Sequence, residues 1–221
     1  MTRAWIEPPT TPIARIKRAV QTVATALPRR TAFTLIEILV VIAVIMILAG
    51  LVLATVSYVQ NKGARSRAEA EIAAMSAALE SYKADNGIYP RGNADLSLST
   101  PYDSDTLDAR TPGNCDPTSG DVKYRNVTLF LYKMLSGDVN ANKQLTAKSY
   151  FSFPKGMLFP KGNVASVTAL IDPWGNCYGY STANQNNPNQ GYNPTFDLWS
   201  SGQPNSDGST NRDPAKFVKN W

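Results

Sequence analysis

One carboxylate, Glu37, sits within an almost unbroken apolar stretch. From Phe33 to Val59 the only polar or amphipathic residues are Thr34, Glu37, Thr55, Ser57 and Tyr58. A carboxylate held in hydrocarbon costs about 2.5–3.5 kcal/mol on insertion scales, so Glu37 needs either water or a cation. If the helix start lies close to the membrane interface, the acid stays hydrated. The other reading supplies the cation by proteolysis. A cut between Ala32 and Phe33, just after the basic pair Arg29-Arg30, creates an α-amine four residues before Glu37. Such an amine has an ordinary pKa of about 7.7–8.0 and is cationic. An amine on one copy and a carboxylate on its neighbour neutralise each other in an apolar bundle. Removing either leaves the other buried and unpaired, typically at a cost of about 3–5 kcal/mol. The pair would then set the register of identical helices packed side by side.

Other chemistry is limited by residue type. The sequence has no histidine and two cysteines, Cys115 and Cys177. Ser-His-Asp and Cys-His catalysis are therefore excluded, and a structural zinc site lacks ligands. Both cysteines follow the apolar stretch and would be exported together, so an oxidising compartment permits one disulfide; two thiols that never meet fit the sequence equally well. Nothing places two of the many carboxylates in one cleft, so the sequence carries no case for an enzyme. The segment "DLWSSGQPNSDGSTNRDP" places Asp207 and Asp213 among glycines and spare carbonyls. Calcium takes six to eight hard oxygens from such flexible loops; the plainer alternative is a solvated Asx/Gly loop.

Charge divides the chain. The formal net charge is +5, and the leader accounts for all of it: Arg3, Arg15, Lys17, Arg18, Arg29 and Arg30 oppose the single acid Glu7. The rest of the chain is balanced. Excess cations ahead of an apolar stretch mark a cytoplasmic flank, and a neutral main domain argues against a nucleic-acid partner.

These residues must be positioned by a small set of elements. Residues 1–32, with four prolines and scattered cations, read as a leader. Residues 33–59 form a helix roughly 40 Å long, more than the ~30 Å hydrocarbon core. No small-x-small cleavage site follows it, so it stays with the protein. Residues 60–90 continue it as an amphipathic second half: Ile72, Met75, Leu79 and Tyr82 share one face, while Arg65, Glu69, Glu71 and Lys83 take others. Asn86-Gly87 should end it. Residues 91–163 are a variable loop region with one short helix, capped by Asn126 and stopped by Gly137. Residues 164–221 hold short β-prone runs at 164–171, 177–182, 195–200 and 216–221, suited to a small antiparallel sheet. The fold class is α+β. Tyr82, Tyr89 and Trp174 read as core.

"FTLIEILVVIAVI" resembles the processing site and helix start of type IV pilins and type II secretion pseudopilins. "ALESYKADNGIYP", "DPWGNCYGY", "FDLWSSG" and the final "NW" resemble the major, G-type pseudopilin of type II secretion. The resemblance covers residues 29–90 and 172–221. It implies a pilin-like fold, with a long N-terminal helix, transmembrane in its first half, packed on the C-terminal sheet. It implies cleavage between Ala32 and Phe33 by a membrane prepilin peptidase, N-methylation of Phe33, and Glu37 as the assembly acid. It also implies calcium, held by Asp207, Asp213 and the carbonyls of Leu198 and Ser201. Three departures stand out: Ala32 where the family has Gly, Ala54 where it commonly has Pro, and Gln203-Pro204-Asn205-Ser206 inserted where its loop runs from Gly to Asp almost directly. The implied function is a structural subunit of the secretion pseudopilus. It would be anchored by one pass in the inner membrane with its C-terminal domain in the periplasm, and would polymerise into a periplasmic filament that drives export of folded proteins. The implied partners are further copies of itself, minor pseudopilins, the peptidase and the inner-membrane secretion platform. The alternatives are a type IV pilin for adhesion, motility or DNA uptake, and an anchored domain that never polymerises. Glu37 and the bare helix argue against the last; the DPWGN turn and the loop favour the pseudopilin over the pilin.

Overall fold

The computed structural model describes residues 33–92, 104–161 and 166–221. The leader, Ala32 and the basic pair lie outside them. The chain divides into two compact units, Met1–Leu48 and Ala49–Trp221. Helix α1 spans Leu35–Asn86.

In the first unit the large apolar side chains from Phe33 to Leu48 are all exposed, with Leu35 at 84%. A water-soluble domain does not leave so much continuous apolar surface bare. α1 is also long and apolar enough to cross a membrane.

In the second unit α1 becomes amphipathic. Ala68, Ile72, Met75, Ala78 and Leu79 are buried, a stripe at helical spacing that explains why this part packs on a domain. Tyr82 lies half-buried beside it. The helix ends at Asn86, where Gly87 takes φ 78° and its N–H donates to the Lys83 carbonyl at 2.7 Å. Glu71 departs from expectation. It is buried, because the Tyr178 hydroxyl reaches it from the domain and donates to Oε2 at 2.5 Å.

Between the helices, residues 104–121 are irregular but not core-poor: Leu107, Ala109 and Cys115 are buried. Helix α2 covers Val122–Ser136. It starts a turn earlier than expected, and Asn126 lies inside it, buried, rather than at its cap. Tyr124, Val127, Leu131 and Leu135 form one buried stripe, so packing extends the helix N-terminally. Asp121 occupies the cap position, where its carbonyl accepts the Tyr124 N–H at 3.1 Å but its side chain bonds no helix amide; its carboxylate accepts the Asn114 N–H at 3.1 Å instead. Gly137 stops the helix in the left-handed region, as its sequence position predicts.

The strands are shorter than the β-prone runs and form two sheets. β1 (Leu158–Phe159) pairs antiparallel with β2 (Ala169–Leu170). β3 (Gly179–Ser181), β4 (Asp197–Ser200) and β5 (Val218–Lys219) form the second sheet in that order. An isolated bridge, Ile171 with Cys177, and the Tyr178 N–H donating to the Leu170 carbonyl at 3.2 Å link the segments between them. Pro160 ends β1 by removing a ladder donor, and the Asp172–Asn176 turn ends the run after β2. The core gathers Trp199, Tyr124, Tyr178, Tyr180 and Phe217 over Met75 and Leu79. Gly179 faces Trp199 across the ladder, and a Cβ there would overlap the indole. Tyr89 is buried as expected, whereas Trp174 is only half-buried against this core. The architecture is α+β and pilin-like, with a long N-terminal helix and small C-terminal antiparallel sheets.

Candidate functional site

The start of α1 is built by its own sequence. Thr34 precedes the first turn, and its hydroxyl accepts the Glu37 N–H at 3.3 Å while its carbonyl accepts the same N–H at 3.1 Å. The Thr-x-x-Glu spacing is a helix-start signal, and it places an acid where the helix macrodipole favours one. Glu37 and Phe33 are both exposed, so the acid is available to a partner outside the chain.

The DPWGN turn is a well-ordered polar centre of the second unit. Asp172 is buried; its Oδ1 accepts the Trp174 N–H at 3.0 Å and the Asn176 N–H at 2.9 Å, and its Oδ2 accepts the Ser200 hydroxyl at 2.5 Å. Burial pushes its carboxyl up to about 7, against the hydrogen bonds, Ser200 first, that favour the charged form. Gly175 sits at φ 98° and donates to the Asp172 carbonyl at 3.0 Å, closing the turn. Trp174 leaves the turn toward α1, where its indole N–H donates to Asn61 at 3.4 Å.

Cys115 and Cys177 are brought together. The Cys177 N–H donates to the Cys115 carbonyl at 2.7 Å, and both residues are buried as free thiols. Burial pushes the Cys115 thiol up to about 12 and raises that of Cys177 as well.

Among the candidate calcium ligands, Asp207, Asp213 and the Leu198 carbonyl have partners within the protein. Asp207 Oδ1 accepts the Ser209 N–H at 2.9 Å and its hydroxyl at 2.6 Å. These bonds hold the Asp207 carboxyl below the usual carboxylate range. Asp213 caps a short 3-10 turn by accepting the Ala215 N–H at 3.0 Å, and Lys216 stands 4.0 Å from its other oxygen. The Leu198 carbonyl accepts the Asn220 N–H at 3.2 Å, and Ser201 is buried. One oxygen of each aspartate and the Leu198 carbonyl thus already accept hydrogen bonds within the protein. Among the described residues no three or more Cys, Asp or Glu cluster as metal ligands.

Residues 27–53 match the family described as the prokaryotic N-terminal methylation motif. The chain is 28% identical over 193 residues to the type II secretion system core protein G of Pseudomonas aeruginosa, covering 87% of this chain and 96% of that protein. It is 30% identical over 103 residues to the protein of the same name from Vibrio cholerae, covering 43% of this chain and 70% of that one. The chain belongs to the type II secretion system core protein G family. The Escherichia coli core protein G is 39% identical over 71 residues, which is 32% of this chain and 49% of that protein. No solved structure matches.

Membership in the core protein G family fits the exposed acid at the helix start and the ordered DPWGN turn. Two structural contacts were not anticipated from the sequence. The Thr34 bond was legible in the Thr-x-x-Glu spacing. The Glu71–Tyr178 bond joins residues 107 positions apart and left no local signal.

Proposed function

We propose that this chain is the polymerising structural subunit of a type II secretion pseudopilus. A prepilin peptidase cuts between Ala32 and Phe33 and methylates the new amine of Phe33. Residues 33–59 hold the subunit in the inner membrane by a single pass, with the following domain in the periplasm. Copies then stack, and Glu37 of each pairs with the Phe33 amine of a neighbour. Minor pseudopilins and the inner-membrane platform are the assembly partners, and growth of the filament pushes folded proteins outward. No residue has a catalytic role.

The observation that carries this reading is the exposed Glu37 in the first turn of a bare apolar helix. In an apolar surrounding that carboxylate needs a cation, and cleavage provides one in every copy. Glu37→Ala is expected to insert and to be cleaved normally but to yield few filaments when sheared pili are counted by electron microscopy. Normal filaments from that variant would remove the charge pair from the assembly mechanism.

Calcium at the 201–213 loop is proposed on donor chemistry alone. Asp207 is exposed and keeps one carboxylate oxygen outside the bonds to Ser209, and Gly202 and Gly208 at positive φ let the loop turn tightly. A disulfide between Cys115 and Cys177 is proposed on their backbone contact and on export past the membrane.

A further inference from the structure

The residues that interrupt the family's loop spacing have a place in the fold. Gln203, Pro204, Asn205 and Ser206 form one wall of a cavity of about 770 Å³. The opposite wall is α1, through Tyr58, Lys62 and Arg65; Trp174 and Lys216 complete it. A cavity of this size suits a small-molecule group.

Among the described residues its lining holds three cations, Lys62, Arg65 and Lys216, and no Asp or Glu. The nearby acids engage these cations incompletely. Glu69 takes the Arg65 Nε at 3.1 Å, and Asp213 stands 4.0 Å from the Lys216 ammonium. Arg65 keeps its two terminal nitrogens, one of which donates only a long 3.5 Å bond to the Lys216 carbonyl. Lys62 rests over the Tyr58 ring at 5.7 Å and lines the cavity. An arginine and two lysines in one lining are a donor set for a phosphate.

The position along α1 says which phosphate. Tyr58, Lys62 and Arg65 are spaced by four and three residues, on one helical face. The apolar stretch ends at Val59, and at 1.5 Å per residue Lys62 lies about 5 Å and Arg65 about 9 Å beyond it. The headgroup layer is about 5–8 Å deep on each side of the hydrocarbon, so Lys62 falls within it and Arg65 at its outer edge, its side chain leaning back toward the helix N-terminus. Tyr and Trp, here Tyr58 and Trp174, are the aromatic residues enriched at that level.

We propose that this cavity binds the phosphodiester headgroup of an anionic membrane phospholipid. Lys62, Arg65 and Lys216 act as its donors, and Tyr58 and Trp174 flank it. The absence of acids from the lining leaves a choline or ethanolamine cation without a partner, so the site selects anionic over zwitterionic lipid. The inference rests on the membrane-resident subunit proposed above.

The test uses the full chain in mild detergent with equal amounts of phosphatidylglycerol and phosphatidylcholine of the same acyl chains. Retained lipid is read by native mass spectrometry. Phosphatidylglycerol is expected to be preferred, and the preference to fall by about fivefold for each cation neutralised across Lys62→Gln, Arg65→Gln and Lys216→Gln. Lys62→Arg and Lys216→Arg are expected to keep it. Lys62→Gln alone, on an exposed helical face, serves if the triple variant does not fold. Equal retention by the parent chain and by folded Gln variants overturns the proposal. Complete displacement by millimolar inorganic phosphate also overturns it, by assigning the cavity to free phosphate. Carbonate extraction of cell membranes is run alongside. A parent chain that washes out refutes membrane residence, whereas a resident chain without lipid preference refutes only the headgroup site.

Discussion

Tyr178→Phe removes a single oxygen from a wholly buried ring and isolates one hydrogen bond. Burial, then the neighbouring Glu71, hold the Tyr178 phenol far above its ordinary pKa, so it remains a donor at any working pH. Its acceptor, Glu71, is 9% exposed. The other Glu71 oxygen takes the Arg67 Nε at 2.7 Å, from a side chain that is 51% exposed. Phenylalanine keeps the ring packing, so no cavity is formed. What remains is a buried carboxylate oxygen without its donor. Hydrogen bonds to charged groups contribute about 1.5–3 kcal/mol. Arg67 still partly neutralises the acid, which places the loss near about 2 kcal/mol. For a chain of this size that corresponds to a fall in Tm of about 4–8 °C. Glu71→Gln keeps an acceptor for Tyr178 and loses only a half-exposed ion pair, so it should cost about 1 kcal/mol or less. The pair of variants together gives the coupling by a double-mutant cycle. The assay is thermal unfolding of the full chain in mild detergent, followed by tryptophan fluorescence from the domain. A Tyr178→Phe variant melting within about a degree of the parent would falsify the buried-bond account.

Asp172 makes stability depend on pH. Its carboxyl is raised to about 7 in the fold from about 3.9 in an unfolded chain. The folded state therefore binds the extra proton, and this contribution is full below about pH 4 and lost as pH rises through about 7. Relative to Asp172→Asn, the parent chain should lose stability on the order of a few kcal/mol between pH 5 and pH 8 in paired thermal melts; parallel curves refute the assignment. Chelating calcium should lower the thermal midpoint, by as much as about 2.7 kcal/mol of stability where the ion stands at a hundred times its Kd; an unchanged midpoint at every calcium level removes the ion. Periplasmic protein, taken up in denaturant with an alkylating agent, should show Cys115 and Cys177 unlabelled until reduced. Their Cys→Ser double variant should lose about 4 kcal/mol by loop entropy; full labelling before reduction rules the bridge out.

The parts of this molecule that were legible in sequence are those governed by local periodicity. Ile72, Met75 and Leu79 announce the buried stripe of α1 because a helix repeats every 3.6 residues, and Asn86-Gly87 announces its end because glycine alone takes the left-handed cap freely. Glu37 stands out in sequence because a lone acid in a lipid-length run needs a reason, and the structure places it exposed in the first turn of α1. Glu71 does not stand out, since its place on the helix looks polar until Tyr178 arrives from a distant strand. Asn126 read as a cap because its side chain suits one; the Tyr124 and Val127 contacts that carried the helix past it are tertiary. Strand β1, two residues long, carries too short a pattern to identify. The four residues Gln203–Ser206 read only as an interruption of the loop, because a cavity wall is defined by what stands opposite.

The bare apolar surface of α1 has a consequence for energetics. Lipid tails are as apolar as leucine, so a helix that trades acyl chains for neighbouring helices gains little from water exclusion. From Phe33 to Leu48 the large apolar side chains stand exposed among the described residues. The segment is a solute with two good solvents, and moving it from one to the other is close to free-energy neutral along most of its length. A filament joined in this way can be built and taken apart again without a large sink to climb out of. The direction of traffic is then left to a handful of polar atoms and to whatever work is applied from outside.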